Sequence, residues 1–148
     1  MRSGTENVYG IASFGQATKE HFSALSSEIE KMSAVRTYLL ENLKKIPGIS
    51  FNTPELCAPH ILNISVEGLR SEIVLHDLSS KGIYVSSGSA CSSHSVKVSP
   101  SLAAFGLTPH EADCSLRVSF SALNTEEEVD RLCEALEKGI STLVRIRK

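Results

Sequence analysis

A long helical pattern near the start of the chain constrains the fold most. Between residues 8 and 46, apolar residues recur every three or four positions, which is the period of an amphipathic helix. The phase slips slightly near Ser33, so the pattern predicts one long helix or two helices with a bend at that point. Pro47 and Gly48 are expected to stop it. The apolar positions are Phe22, Leu25, Ile29, Met32, Val35, Leu39, Leu43 and Ile46.

Short strands and helices are predicted over the rest of the chain. Strands are expected at residues 49–52, 60–67, 83–85 and 115–120, and the alternation within 62–67 predicts a half-buried strand. A helix begins at Ser71 and turns Ile73, Val74, Leu75 and Leu78 inward. Two short helices follow Ser99 and Thr108, and a last helix begins with the capping box of Thr125 and Glu128. The order predicts one α+β domain over residues 1–148, with a small, mostly antiparallel sheet and helices on one face.

Composition narrows the classes of function. A net charge of -2 gives no general attraction to nucleic acid or to anionic membranes. No apolar run approaches the ~20 residues of a membrane span, and the N-terminus leads into no secretory signal. The cysteines at positions 57, 91, 114 and 133 lack metal-ligand spacing, so no metal site is expected. We expect free thiols in a reducing, cytoplasmic setting.

Cys91 is the first candidate for chemistry. It lies in a polar stretch of small residues, from Ser86 to Ser95, that has almost nothing to bury. A thiol on such a tether could meet one partner to be charged and another to be discharged, although an incidental surface cysteine is the plainer interpretation. His94 could take the thiol proton, or be an ordinary solvated histidine.

Two further residues have both a plain and a functional interpretation. Arg117 alternates with Leu116 and Val118, so it points away from the core as a solvated charge or as a guanidinium that grips a carboxylate. Thr5 precedes the long helix, where a hydroxyl residue is ordinarily a cap but could also help to cradle a phosphate.

The other three cysteines are not candidates for function. Cys133 falls on the apolar face of the last helix, which predicts core packing. Cys114 lies near a strand start and Cys57 lies in a turn-rich loop, and neither neighbourhood indicates chemistry.

Several segments together resemble the cysteine desulfurases of the NifS/IscS type. Residues 86–93 are similar to that family's catalytic-cysteine loop, and residues 115–120 to the segment around its substrate-binding arginine. Residues 124–130 resemble the start of its final helix, and residues 2–7 its Arg-x-Gly-Thr segment. The spacing between Cys91 and Arg117 is similar to the long-loop NifS/IscS group. The resemblance runs over the whole chain in the same order.

The resemblance implies a C-terminal small domain and a set of roles. The parent protein would use pyridoxal 5'-phosphate (PLP) as electron sink to convert L-cysteine to L-alanine. Cys91 would take the sulfur as a persulfide and pass it to a sulfur acceptor, such as an iron–sulfur scaffold protein. Arg117 would hold the substrate carboxylate, and Thr5 would bind the phosphate of PLP in the partner subunit of a homodimer. Neither nucleic acid nor membrane is implied.

The chain also departs from that family. The family's cofactor-binding lysine follows a histidine in a large domain, and none of the five histidines here precedes a lysine. We therefore expect that the chain alone holds no PLP and does not turn over cysteine, as in a truncation. A stand-alone sulfur-relay or docking module, a related class-V aminotransferase domain, and a selenocysteine lyase remain alternatives.

Overall fold

The computed structural model describes residues 4–54, 56–87 and 99–143. Within them, five helices and four strands form the α+β arrangement predicted from the sequence. In chain order the elements are α1 (Val8–Leu43), β1 (Ile49–Phe51), β2 (Ile61–Val66), α2 (Ser71–Ser80), β3 (Ser86–Ser87), α3 (Pro100–Ala104), α4 (Pro109–Asp113), β4 (Ser115–Ser119) and α5 (Glu126–Thr142).

Helix α1 is one uninterrupted helix of 36 residues, so the alternative of two helices is wrong. Its N-cap is Asn7, whose Oδ1 accepts a hydrogen bond from the Gly10 N–H at 3.0 Å. Only the C-terminal half reaches the core, where Val35, Leu39 and Leu43 are buried. The N-terminal half exposes apolar side chains to solvent, among them Val8, Tyr9, Ile11, Phe14 and Phe22.

The four strands form an antiparallel sheet in the order β1-β2-β4-β3. One face carries apolar side chains that pack against helices α1, α2 and α5. This core face includes Leu62, Ile64, Val66, Leu116 and Val118. Apolar burial of this kind stabilises a fold by about 25 cal/mol per Å², so these side chains hold the sheet against the helices.

The opposite face of the sheet is lined by polar residues, because side chains along a strand alternate between faces. We call this surface the polar face; its polar members are Ser50, Asn52, Asn63, Ser65, Ser86, Ser115, Arg117 and Ser119, and Ile61, opposite Ser119, is an apolar member. Its members in the middle of the sheet, Asn63, Ser65 and Ser115, are buried. Strand β2 is therefore buried on both faces, and the prediction of a half-buried strand is wrong. Alternation could not show that Asn52 and the α4 backbone contact this side of β2.

The predicted strand at residues 83–85 is also wrong, since β3 comprises Ser86 and Ser87 instead. The chain is still completing the end of α2 at Ile83. The Ile83 N–H donates to the Leu78 carbonyl and the Gly82 N–H donates to the Ser79 carbonyl, each at 3.0 Å. Gly82 has a positive φ of 75°, as this type of helix end requires. The ladder with β4 consequently begins only at Ser86.

Helix α2 presents a narrower apolar stripe than expected. Val74 and Leu78, one turn apart, are buried, and Leu75 is half-buried. Ile73 is 37% exposed, so its predicted inward orientation is wrong. A helix that rests on a flat sheet buries the i, i+4 row and leaves the flanks near solvent.

The predicted short helices are confirmed, and so are the caps of α4 and α5, whereas Ser99 at the N-cap of α3 makes no side-chain cap hydrogen bond. Thr108 and Glu111 form a capping box at α4, and the Glu128 carboxylate accepts from the Thr125 N–H at α5 at 3.2 Å. Among the helices in the described ranges, none combines the length and the apolar character that crossing a bilayer demands.

Candidate site on the polar face of the sheet

Arg117 lies in the middle of β4 and is exposed on the polar face. Its chain neighbours Leu116 and Val118 point the other way and are buried. The predicted orientation of Arg117 is thus confirmed. Strand β4 is an inner strand of the sheet, paired with β2 on one side and with β3 on the other, so the backbone that carries the guanidinium is fixed.

Two residues flank Arg117 across the sheet. The strand register places Asn63 of β2 opposite it on one side and Ser86 of β3 on the other. The Arg117 Nη2 donates to the Ser86 Oγ at 3.4 Å, which is a long and weak hydrogen bond. A guanidinium has five N–H donors, so most of its capacity is still available for a ligand.

The positive charge of Arg117 has no carboxylate within reach in the described part of the chain. The ion pairs found there join Arg70 to Asp113 and Lys81 to Asp77, and His21 contacts Glu28. An exposed guanidinium on a fixed strand, with no counter-ion among the described residues, is suited to bind an anion from outside.

Asn63 belongs to a hydrogen-bonded row that crosses the polar face. The Asn52 Nδ2 donates to the Asn63 Oδ1 at 2.7 Å and to the Ser65 Oγ at 2.8 Å. The Ser65 Oγ donates in turn to the Glu111 carbonyl at 3.1 Å. Because these side chains are largely shielded from water, the row fixes how their polar atoms are oriented.

Thr5 lies two residues before the N-cap of α1 and is exposed. Asn7 caps the helix, so the interpretation of Thr5 as the N-cap is wrong. Val8 and Val35 are separated by about 40 Å of helix at 1.5 Å per residue, so Thr5 lies far along α1 from the part that packs in the core. The structure does not bring Thr5 and Arg117 together by any hydrogen bond within the described ranges.

Cys91 and His94 lie outside the described residues. What the structure does give is the strand that precedes them, because β3 ends at Ser87, four residues before Cys91 in the sequence. The polar stretch that carries Cys91 therefore begins beside Arg117.

The described cysteines are free thiols with structural surroundings. Cys133 packs against the core, as predicted, and burial raises its pKa to about 11. Burial also raises the pKa of the Cys114 thiol. Both shifts disfavour the nucleophilic thiolate. The Cys57 sulfur accepts a hydrogen bond from the Arg36 Nη2 at 3.0 Å.

Two other features of the described residues bear on whether there is an alternative centre. Among the described residues, no three His, Cys, Asp or Glu side chains are grouped to bind a metal ion. A cavity of about 300 Å³ opens between the end of α2 and the start of α5, lined in part by Val35, Tyr84, Phe120 and Leu132. Neither Thr5 nor Arg117 lines it, although Ser119 of the polar face does.

Asn63 was not identified as a site residue from the sequence. The sequence does show a polar residue, Asn63, within a strand of mostly apolar residues. Only the register shows that it falls on the same face as Arg117. Register between strands distant in sequence cannot be read from alternation alone.

Comparison with known families fits this architecture. The sequence profile of the family described as Aminotransferase class-V matches residues 1–132. The chain belongs to the class-V aminotransferase family. The α+β fold with the long first helix is accordingly that of a segment of this family, as predicted.

This class-V aminotransferase chain is similar to proteins named cysteine desulfurase IscS. It is 40% identical to the one from Clostridium botulinum over 144 residues, which cover 94% of this chain and 36% of the relative. It is 38% identical to that of Methanosarcina thermophila, covering 96% and 35%. A solved structure titled NifS-like protein superposes with a TM-score of 0.82 at 32% identity, covering 96% of this chain and 36% of that one. The chain thus spans about a third of the length of these relatives.

Proposed function

We propose that this chain is the small domain of a cysteine desulfurase, in which Cys91 takes the sulfur of L-cysteine while Arg117 holds the substrate carboxylate. The observation that carries the proposal is the exposed Arg117 guanidinium on a fixed inner strand, next to the strand that leads to Cys91. The similarity to proteins named cysteine desulfurase supports it.

The spacing along the chain suits a shared substrate. Ser86 is paired with Arg117, and Cys91 follows Ser87 by four positions in the sequence. A segment of that length spans at most about 14 Å. An amino acid that is bound by its carboxylate at Arg117 would therefore have its sulfur within the reach of a thiol tethered at Ser87.

PLP is the cofactor that the family implies, and the described residues fit only its phosphate end. Thr5 is exposed, and its hydroxyl makes no hydrogen bond within residues 4–54, 56–87 and 99–143, so it is available to donate to a phosphate oxygen. When bound, PLP would supply an electron sink for bond breaking at the substrate. The ring and the cofactor-binding lysine belong, in this proposal, to a large domain, and Thr5 would serve the partner subunit of a homodimer.

The sulfur transfer balances as a nucleophilic displacement. The Cys91 thiolate attacks the sulfur of L-cysteine, an S–S bond forms and the substrate C–S bond breaks. The electron pair of that bond stays with the substrate carbon, which takes up a proton to give L-alanine. Cys91 is left as a persulfide. A second thiol, on an acceptor such as an iron–sulfur scaffold, can then take the outer sulfur from it. Arg117 keeps the substrate in position throughout, because near-attack placement can supply ~7–11 kcal/mol of a barrier.

Free thiols at the described cysteines fit a reducing, cytoplasmic compartment, and the proposal places the protein there. The proposal also accounts for the exposed apolar side chains in the N-terminal half of α1, because the large domain would lie at that end of the helix.

Joining the chain to a large domain tests the proposal. We define the two-domain protein as this chain fused to the part of the Clostridium botulinum relative that it does not cover. After size-exclusion chromatography and a cooperative melt show that the fusion is folded, alanine and sulfide are assayed with L-cysteine and PLP. We expect turnover that Cys91→Ser abolishes, and none from the chain alone. Turnover that survives Cys91→Ser would overturn the proposal.

A further inference from the structure

We infer that Asn63 is a second carboxylate-binding residue, which donates from its side-chain amide to the same substrate carboxylate that Arg117 grips. This rests on the proposed function for the identity of the substrate, an α-amino acid. The binding chemistry itself rests on the polar face of the sheet.

The orientation of the Asn63 amide follows from its hydrogen-bond partners. The Glu111 carbonyl can only accept, so the Ser65 hydroxyl must donate to it. The Ser65 oxygen then accepts from the Asn52 Nδ2, which fixes the NH₂ end of Asn52 on this side. The second hydrogen of that NH₂ group is directed to Asn63, at 2.7 Å, so Asn63 must offer its oxygen there.

The hydrogen bonds of this row use the oxygen of the Asn63 amide and do not use its NH₂ group. Within the described ranges it has no hydrogen-bond acceptor, although only 8% of the Asn63 residue is exposed. Asn63 is opposite Arg117 in the register of β2 and β4, and side chains at such positions lie about 4.5–5.5 Å apart at Cβ. Arg117 is also a pure donor, and among the described residues its side chain donates only to Ser86, so most of its N–H groups are unused there.

Two donors at neighbouring cross-strand positions, with no acceptor bridging them among the described residues, define the chemistry of the ligand. A carboxylate has two oxygens and about four lone-pair directions, so it can accept from a guanidinium and from an amide at once. A cationic or purely donating ligand would be rejected. The row Asn52–Ser65–Glu111 therefore acts as a positioning network that keeps the donor end of Asn63 turned toward the ligand.

The inference is tested first on this chain by NMR, without any cofactor. The side-chain NH₂ signals of Asn63 are followed while L-alanine, the product that keeps the carboxylate, is added, with L-alaninamide as matched ligand control. We expect the Asn63 signals to shift with L-alanine only, and the shift to disappear in Arg117→Gln. The signals of Asn124, whose amide donates to Glu128 at 2.9 Å, serve as internal control. Unmoved Asn63 signals, or equal shifts with both ligands, would overturn the inference.

Kinetics in the two-domain protein provide the second readout. Asn63→Asp keeps the size but replaces the donor by a like charge next to the substrate carboxylate. We expect KM for L-cysteine to rise about 10- to 100-fold, as for the loss of one charge-assisted hydrogen bond, with a much smaller change in kcat. Asn124→Asp is the matched variant and should leave KM unchanged. An Asn63→Asp enzyme with wild-type KM would contradict the inference.

The two proposals fail in different ways. If the wild-type two-domain protein releases no alanine, the proposed function fails, while the NMR titration still decides whether Asn63 binds a carboxylate. If alanine is released and depends on Cys91 but Asn63 neither shifts nor affects KM, only the role of Asn63 is lost.

Discussion

Asn63 and Arg117 are directly opposite each other on β2 and β4, although 53 residues of sequence separate them. The pairing puts an oriented amide beside a guanidinium that has no carboxylate partner among the described residues, on a face of the sheet whose other members are mostly small and polar. A carboxylate bound at this point would give both donors an acceptor, which matters most for Asn63 because a buried polar group is costly to leave unsatisfied.

Arg117→Lys is expected to impair substrate binding even though the charge is kept. A lysine ammonium cannot make the two parallel hydrogen bonds of a guanidinium to a carboxylate. In the two-domain protein we expect KM for L-cysteine to rise about 10- to 100-fold, measured as alanine release. Arg131→Lys, at an exposed position of α5, is the control and should behave as wild type. An Arg117→Lys protein with unchanged KM would mean that Arg117 is only a solvated charge.

The cysteines are expected to differ sharply in reactivity toward iodoacetamide. With a pKa of about 11, Cys133 holds only about 0.1% thiolate near pH 8, and Cys114 is buried with a raised pKa. We expect both to stay unmodified in the native chain and to react after denaturation in urea, whereas Cys91 reacts in both. Peptide mass spectrometry after timed labelling measures this. Rapid native labelling of Cys133 would show that the α5 packing is wrong.

Leu39→Ala is expected to destabilise the fold strongly. Leu39 is fully buried where α1 meets the core, and such a truncation leaves a cavity that costs about 2–5 kcal/mol in the free energy of unfolding. Phe14→Ala on the same helix removes a side chain that is 77% exposed, and should change stability by less than about 0.5 kcal/mol. Urea titrations followed by circular dichroism compare the two. Similar effects of both changes would contradict the division of α1 into a free half and a packed half.

The capping box of α4 should make part of the stability depend on acid. Hydrogen bonds from the Thr108 backbone and then its side chain lower the pKa of Glu111 below the ordinary 4.5. A lowered pKa in the folded state means that the carboxylate stabilises the fold fully above its unfolded pKa, and that this contribution is lost as the pH falls through the folded pKa. Wild type should therefore have a larger free energy of unfolding than Glu111→Gln at neutral pH. This difference should shrink as the pH falls from about 6 to about 3.

Urea midpoints at several pH values measure that difference. Glu41→Gln on the exposed side of α1 is the matched control, because the Glu41 carboxylate accepts no hydrogen bond within the described ranges. A gap between wild type and Glu111→Gln that stays constant with pH would show that the ionised capping box contributes nothing.

Local signals in the sequence predicted most of the fold. Thr108 at the start of α4, and Thr125 with Glu128 at the start of α5, are short-range features whose physics does not depend on the rest of the molecule, and each lies where it was expected. The alternation around Arg117 predicted its exposed side correctly for the same reason.

The sequence was misleading where long-range packing decides. Ile83 is a residue type that is common in strands, but its N–H donates to the Leu78 carbonyl at the end of α2. Ser65 alternates like a solvent-facing residue, yet it is buried because Asn52 and the α4 backbone contact it. The role inferred for Asn63 depends on its register with Arg117, which sequence periodicity cannot supply.

Persulfide formation at Cys91 tests the central claim most directly. The two-domain protein is incubated with L-cysteine labelled with ³⁴S, trapped with an alkylating reagent and digested for mass spectrometry. We predict one added, labelled sulfur on the peptide that contains Cys91, dependent on Arg117 and formed together with alanine. Labelled sulfur on another cysteine, or alanine released with Cys91 unmodified at every time point and replaceable by serine, would contradict it.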